Sequence, residues 1–470
     1  MHEVPLSPKA TALLEPSVRP THLARFQALV KRSADRLDGR TLWHVNSTAE
    51  GGGVAELLHQ VLGYLIDGGI RCRWLVVGGD QDFFWVTKRI HNRLHGSSGD
   101  GGPLDEAARD AYLGVLRREI GSILELVRPG DVAVVHDPQT AGMIPFLVDA
   151  GLRVVWVCHV GVDAPTDVVR SAWDFLRPDV EAAHASVFSR RAYVWEGLDR
   201  RRVAVIPPCI DPTSPKNVEI TAMEATWALQ AARVLEGEPP HPIELPIEGI
   251  GSIAIRRGAD AIEEAPAPTD RPLVTQVSRW DRLKDHVGVL RAFSRHVREG
   301  LDAHLLLVGP AVASVTDDPE GAVVLAENIA AWERLPLTKR RRIHIVSLPV
   351  DDRIENALVV NALQSRADVV VQKSLAEGFG LTVAEAMWKR RPIVGSEVGG
   401  IQDQIVDGRS GILVDPTDAA AVGRAISTLV RDAGFAQAIG HAARERVRGR
   451  FLPPHFLGGH LMVIERVLAT

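Results

Sequence analysis

Two glutamates, Glu377 and Glu385, bracket the run Glu-Gly-Phe-Gly-Leu-Thr-Val-Ala-Glu. Ionised carboxylates accept hydrogen bonds, so two of them near one loop suit a ligand rich in hydroxyl groups. Gly378 and Gly380 allow a tight turn, with backbone close to that ligand on either side of Phe379. A helix starting near Leu381–Thr382 would turn free N–H groups and a positive dipole end toward an anion. Glu385 has a second reading. Thr382-x-x-Glu385 is spelled as a capping box, in which the glutamate serves only a backbone donor. The spacing leaves both readings open.

Further groups fall just after apolar runs. Arg279 and Lys284 follow PLVTQVS, and a guanidinium fork with an ammonium suits phosphate oxygens. An ordinary charged loop would look the same. Gly51, Gly52 and Gly53 follow TLWHVN, where glycines ahead of a helix admit phosphate or sugar; the run is neither a P-loop nor a dinucleotide fingerprint. His136 and Asp137 end DVAVVH, and His159 follows RVVWVC, with Asp163 and Arg170 downstream. A lone histidine can equally be a hydrogen-bonded structural residue. Asp80-Gln81-Asp82 has the spacing of a metal-binding D-x-D but is read as a polar turn, because side chains and a helix end already supply counter-charge. No His/Cys cluster has zinc spacing, and no metal is expected.

The elements that must position these groups alternate strand with helix. The strand candidates of the first half are residues 41–46, 71–77, 131–136, 153–158, 185–188 and 202–207. Those of the second half are 272–278, 303–309, 342–347, 368–372, 392–395 and 411–414. Buried strands separated by amphipathic helices imply parallel sheets with crossover helices, hence two doubly wound, Rossmann-like α/β domains. Ligands of such sheets sit at the carboxyl ends of strands, so a cleft between the domains is expected to collect these residues. Pro207-Pro-Cys-Ile-Asp-Pro212 reads as a linker, giving domains 1–212 and 213–452. Residues 236–271, rich in Pro, Gly and Glu, read as an irregular insertion. Three helices are expected near 417–431, 433–449 and 454–468.

Composition narrows the class. Of 470 residues, 46% are hydrophobic, so two domain cores can be filled. The 54 Lys and Arg against 59 Asp and Glu leave a net charge of −5, which argues against nucleic-acid binding and a polybasic membrane anchor. Cys72, Cys158 and Cys209 lie far apart and read as reduced, which fits the cytoplasm. No signal-peptide pattern opens the chain, and no apolar run is long enough for a membrane span.

Together these residues resemble glycosyltransferase family 4, whose members share the GT-B fold. Glu377 and Glu385 match the family's Glu, seven residues, Glu pattern inside EGFGLTVAEAMW. Arg279, Lys284 and the Gly399-Gly400 loop match further family positions. WHVNSTAEGGGVAELLH, FFWVTKRIHNRLHG, VVHDPQTAGMI, IPPCIDPTSPKNVE and LLLVGP…DDPEG are similar to the trehalose glycosyltransferring branch.

The resemblance implies a nucleotide-glucose donor, UDP- or ADP-glucose, a free glucose acceptor and α,α-trehalose as product. It implies that Glu385 holds the ribose and Glu377 the transferred sugar, with amides around Phe379–Thr382 on sugar and phosphates. His136, Asp137, His159 and Asp163 then fall on the acceptor side, and His159, Glu377, Arg279 and Lys284 form the catalytic set. Transfer would run on the face the phosphate leaves, with the phosphate taking the proton and domain closure excluding water. Residues near 453–470 would cross back onto the first domain, and a homo-oligomer is compatible. Rival readings keep the fold but change the acceptor, or make the chain a 2-epimerase or a noncatalytic nucleotide-sugar sensor.

Overall fold

A computed structural model describes residues 1–50, 52–312 and 319–469. Gly51 and the Asp317-Asp318 pair of the DDPEG run lie outside the described residues. The chain divides into two compact units, Met1–Asp211 with Phe451–Thr470, and Pro212–Arg450.

The first unit is built on β1 (His2–Val4), β2 (Leu42–Asn46), β3 (Cys72–Val76), β4 (Val132–His136), β5 (Arg153–Cys158), β6 (Ala185–Phe188) and β7 (Val203–Val205). Their order is β1-β3-β2-β4-β5-β6-β7. All neighbours are parallel except β1, which pairs antiparallel with β3. Every residue of β2 and β4 is buried, as helices on both faces of a parallel sheet require. The last helix, Pro453–Leu468, packs on helix Pro20–Arg36. Arg32 Nε and Ser33 Oγ donate to Glu465 Oε1 at 3.0 and 2.9 Å and hold it there. Asp211, fully buried, takes a bond from Tyr64 Oη at 2.9 Å and pairs with Lys9, so the end of the linker is pinned to its own unit.

The second unit has a two-stranded hairpin, β8 (Glu244–Ile247) with β9 (Gly251–Ala254). Its main sheet joins β10 (Asp260–Ile262), β11 (Leu273–Val277), β12 (His304–Pro310), β13 (Ile343–Leu348), β14 (Val369–Gln372), β15 (Ile393–Ser396) and β16 (Ile412–Val414), in the order β10-β13-β12-β11-β14-β15-β16. Only β10 runs antiparallel.

The insertion expectation needs correction. Residues 236–271 carry the hairpin and β10, an edge strand of the main sheet. Ile243, Leu245 and Ile247 alternate with exposed residues and bury into the core with Ile255. That period of two is the strand pattern which Pro and Gly content obscured. The three closing helices are Ala419–Arg431, Ala433–Arg450 and Pro453–Leu468. Among the described residues, no helix is long and apolar enough to cross a membrane.

Candidate functional site

In the second unit, β11 and β14 are adjacent parallel strands, so the segments leaving them emerge side by side. Lys284, past β11, donates from Nζ to Glu377 Oε2, past β14, at 2.5 Å. Ser374 Oγ donates to the same oxygen at 3.2 Å. Behind it, Gln372 Nε2 reaches Ser374 Oγ at 3.1 Å, and Thr382 Oγ1 donates to Gln372 Oε1 at 3.1 Å. Glu377 is therefore fixed by a chain of side chains that starts in the next helix. Arg279 stands apart, its side chain 61% exposed and 3.5 Å from Asp281.

The loop between Glu377 and the helix Leu381–Trp388 is shaped by glycine. Gly380 is the N-cap and adopts φ +85°, a left-handed conformation that glycine takes without strain. Its N-cap glycine offers no side-chain cap, so the N-terminal end keeps its polarity for a partner. The loop Gly399–Gly400 backs it. A Cβ on Gly400 would lie 2.5 Å from Phe379 Cα and 2.6 Å from the Gly378 carbonyl oxygen. Gln404 Nε2 donates to the Phe379 and Gly380 carbonyls. The backbone at Gly378 and Phe379 is thus clamped from behind.

The capping-box reading of Glu385 fails. With Gly380 as N-cap, Thr382 is the second helical residue and its hydroxyl faces Gln372. Glu385 turns inward, its side chain 2% exposed and 3.6 Å from Lys216. Gln364 Nε2 donates to its Oε2 at 3.2 Å. The two glutamates are therefore paired with different lysines. Lys216, Ser374 and Gln372 escaped sequence reasoning, although the Pro-Lys-Asn run of Lys216 was visible in a matched segment.

In the first unit, His136, Asp137 and His159 come together. Asp137 has φ +62°, a conformation that Asp tolerates better than most residues, and its Oδ1 accepts from the His159 backbone N–H at 2.8 Å. Its carbonyl accepts from Trp156 Nε1 at 3.2 Å. Burial pushes the Asp137 carboxyl up, against His159 nearby. Asp163 is exposed and pairs with Arg190. Gly161 packs beneath Tyr193, whose Cγ would stand 2.5 Å from an added Cβ. Gly52 caps the helix Gly53–Asp67 without a side chain and leaves room for one, its nearest neighbour being 3.9 Å away. Asp80 caps the helix Gln81–Leu94 by accepting from Phe83 N at 3.0 Å, and it pairs with Arg118. The run therefore starts a helix, with Gln81 and Asp82 already inside it, where a polar turn was expected.

Comparison with known proteins follows the same division. Residues 44–195 match the model described as trehalose synthase, N-terminal domain, and residues 259–446 match glycosyl transferases group 1. Trehalose synthase of Rubrobacter xylanophilus is 34% identical over 467 residues, covering 96% of this chain and 99% of the relative. The chain belongs to the trehalose synthase family. The trehalose synthase of Pyrococcus horikoshii is 36% identical, with 93% of this chain and 92% of the relative covered. Family membership makes the chain a glycosyltransferase. An α,α-trehalose-phosphate synthase (UDP-forming) from Burkholderia vietnamiensis superposes with a TM-score of 0.64 at 16% identity, over 92% of this chain and 99% of that one. At that identity the likeness speaks for the GT-B fold alone.

Proposed function

We propose that this member of the family is a retaining enzyme that moves glucose from UDP- or ADP-glucose to free glucose and forms α,α-trehalose. The observation that carries the donor half is the Lys284–Glu377 pair at neighbouring strand ends, beside an uncapped helix terminus. In this reading Lys284 and Arg279 take the diphosphate, and the Gly378–Thr382 backbone takes sugar and phosphate. Glu377 holds the glucosyl hydroxyls and Glu385 the ribose. Gly52 and Gly53 contribute backbone to the donor, and His136, Asp137, His159 and Asp163 serve the acceptor.

As the bond from anomeric carbon to phosphate oxygen breaks, negative charge grows on the diphosphate. Cations and a helix terminus then bind the transition state more strongly than the ground state. The acceptor's anomeric hydroxyl attacks from the face of departure, and its proton passes to the leaving phosphate oxygen. Each step has a symmetric reverse, so trehalose and nucleoside diphosphate should return nucleotide-glucose and glucose. The counter-charge is protein-built, so the proposal needs no metal. The test is nucleoside diphosphate release, followed with and without glucose. Release that depends on glucose supports the reading. Release only with a sugar phosphate moves the chain to another acceptor, and none with any acceptor favours a binding role.

A further inference from the structure

Three imidazoles stand in a row across the first sheet. His44 lies in β2, His136 ends β4 and His159 follows β5, three neighbouring strands. His44 Nδ1 is 3.0 Å from His136 Nε2, and His136 Nδ1 is 3.5 Å from His159 Nε2. Successive rings are near-parallel, at 21° and 13°. Burial holds His44 down to about 3 and His136 well below the ordinary histidine range. It lowers His159 too, against the opposing pull of Asp137. Uncharged rings have one donor and one acceptor nitrogen each, so the row admits two proton arrangements, one running each way.

The inner end decides between them. His44 and His460 line one small cavity with Leu58, Phe456 and Leu461. His460 Nδ1 is 3.0 Å from the Phe456 carbonyl oxygen, which can only accept, so that nitrogen carries the His460 proton. Neither His44 Nε2 nor His460 Nε2 has a hydrogen-bond partner among the described residues. If the protons pointed inward from His159, His44 would bury an N–H with no acceptor. Pointed outward, they leave only a lone pair there. An orphaned buried N–H is the rarer and costlier outcome.

We infer that His44 and His136 are positioning residues that fix His159 in the tautomer carrying its proton on Nδ1. His44 Nδ1–H donates to His136 Nε2, His136 Nδ1–H donates to His159 Nε2, and His159 Nδ1–H is left as a donor. It suits a hydroxyl oxygen of a sugar. This consequence rests on placing His159 at the acceptor, and it assigns the ring hydrogen bonding rather than proton removal. The latter falls to the leaving phosphate in the proposed reaction.

The test uses protein labelled with 15N-histidine and two-bond 1H–15N correlation, with His159 assigned by its loss in His159→Gln. The wild type should show a protonated Nδ1 and an unprotonated Nε2 at His159. His44→Leu should mix the two tautomers and raise acceptor KM roughly fivefold, the scale of one hydrogen bond, with donor KM unchanged. His44→Asn, whose amide N–H can stand in for Nδ1–H, should restore both. A proton on Nε2 in the wild type overturns the inference, even if His44→Leu fails to fold. So does a His44→Leu protein with the wild-type tautomer. A correct tautomer with normal acceptor KM in His159→Gln leaves the row standing and removes His159 from the acceptor.

Discussion

Thr221-x-x-Glu224 and Thr382-x-x-Glu385 share a spelling and differ in structure. The first is a working capping box ahead of the helix Ala222–Ala231, with Thr221 Oγ1 accepting from Glu224 N and Glu224 Oε2 accepting from Thr221 N. The second forms neither bond, because Gly380 starts its helix two residues earlier, in the left-handed region. That displacement sends Thr382 to brace the strand end and Glu385 into the interior beside Lys216. A pattern of residue types names the partners a side chain could have. The backbone ahead of it decides which ones it gets.

Substitutions separate the two glutamates' roles. If the loop ahead of Leu381 is a ligand grip, the cations that follow β11 beside it should matter most. Lys284→Ala and Arg279→Ala should each lower kcat/KM on the order of 10²-fold, the scale of losing one charge-stabilising donor. Steady-state kinetics with intact far-UV spectra check this, and wild-type values in either variant would remove that residue from the diphosphate.

Glu385→Gln keeps the shape and removes the charge. Donor KM should rise about tenfold, as expected for a charge-assisted hydrogen bond lost to the ribose. An unchanged donor KM with a lowered Tm would make Glu385 a structural partner of Lys216 and Gln364 alone. Thr221→Ala, at the true box, should cost about 1 kcal/mol of stability and leave both KM values where they were. Urea midpoints and kinetics on the same preparation separate the two.

A smaller effect concerns pH. Burial lowers His44 and His286 to about 3, and His304 and His460 to about 4. Unfolded, these rings titrate near ~6.5. Between pH 6.5 and 4 the unfolded chain thus binds protons that the folded chain refuses, and stability falls as pH falls through that window. Unfolding at pH 5 should take up about four protons from these rings. Uptake near zero, read from the pH dependence of urea unfolding, would contradict their neutrality.

Much of this was legible in the residues. Strand-length apolar runs marked β2 to β7 and β11 to β16, because most of these strands are buried on both faces; β7 and β16 are only partly buried. β1 escaped as a three-residue edge, and β8 to β10 were hidden by the Pro and Gly around them. Arg279, Lys284, Glu377 and Glu385 stood out by type and spacing, yet their pairing did not. Nothing in the spelling shows that Lys284 meets Glu377 while Lys216 meets Glu385, because those contacts join segments far apart in the chain. His44 gives no signal of its own in the sequence, because a histidine inside a buried strand looks structural until its neighbours are placed.

The product decides the proposed reaction most directly. The protein should be incubated with nucleotide-α-glucose and glucose, and the mixture followed by 1H NMR. A single new disaccharide is expected, with both anomeric protons equivalent and α, together with nucleoside diphosphate in equal amount. A β-linked disaccharide would contradict retention, and inert glucose with turnover on another acceptor would contradict the assigned reaction.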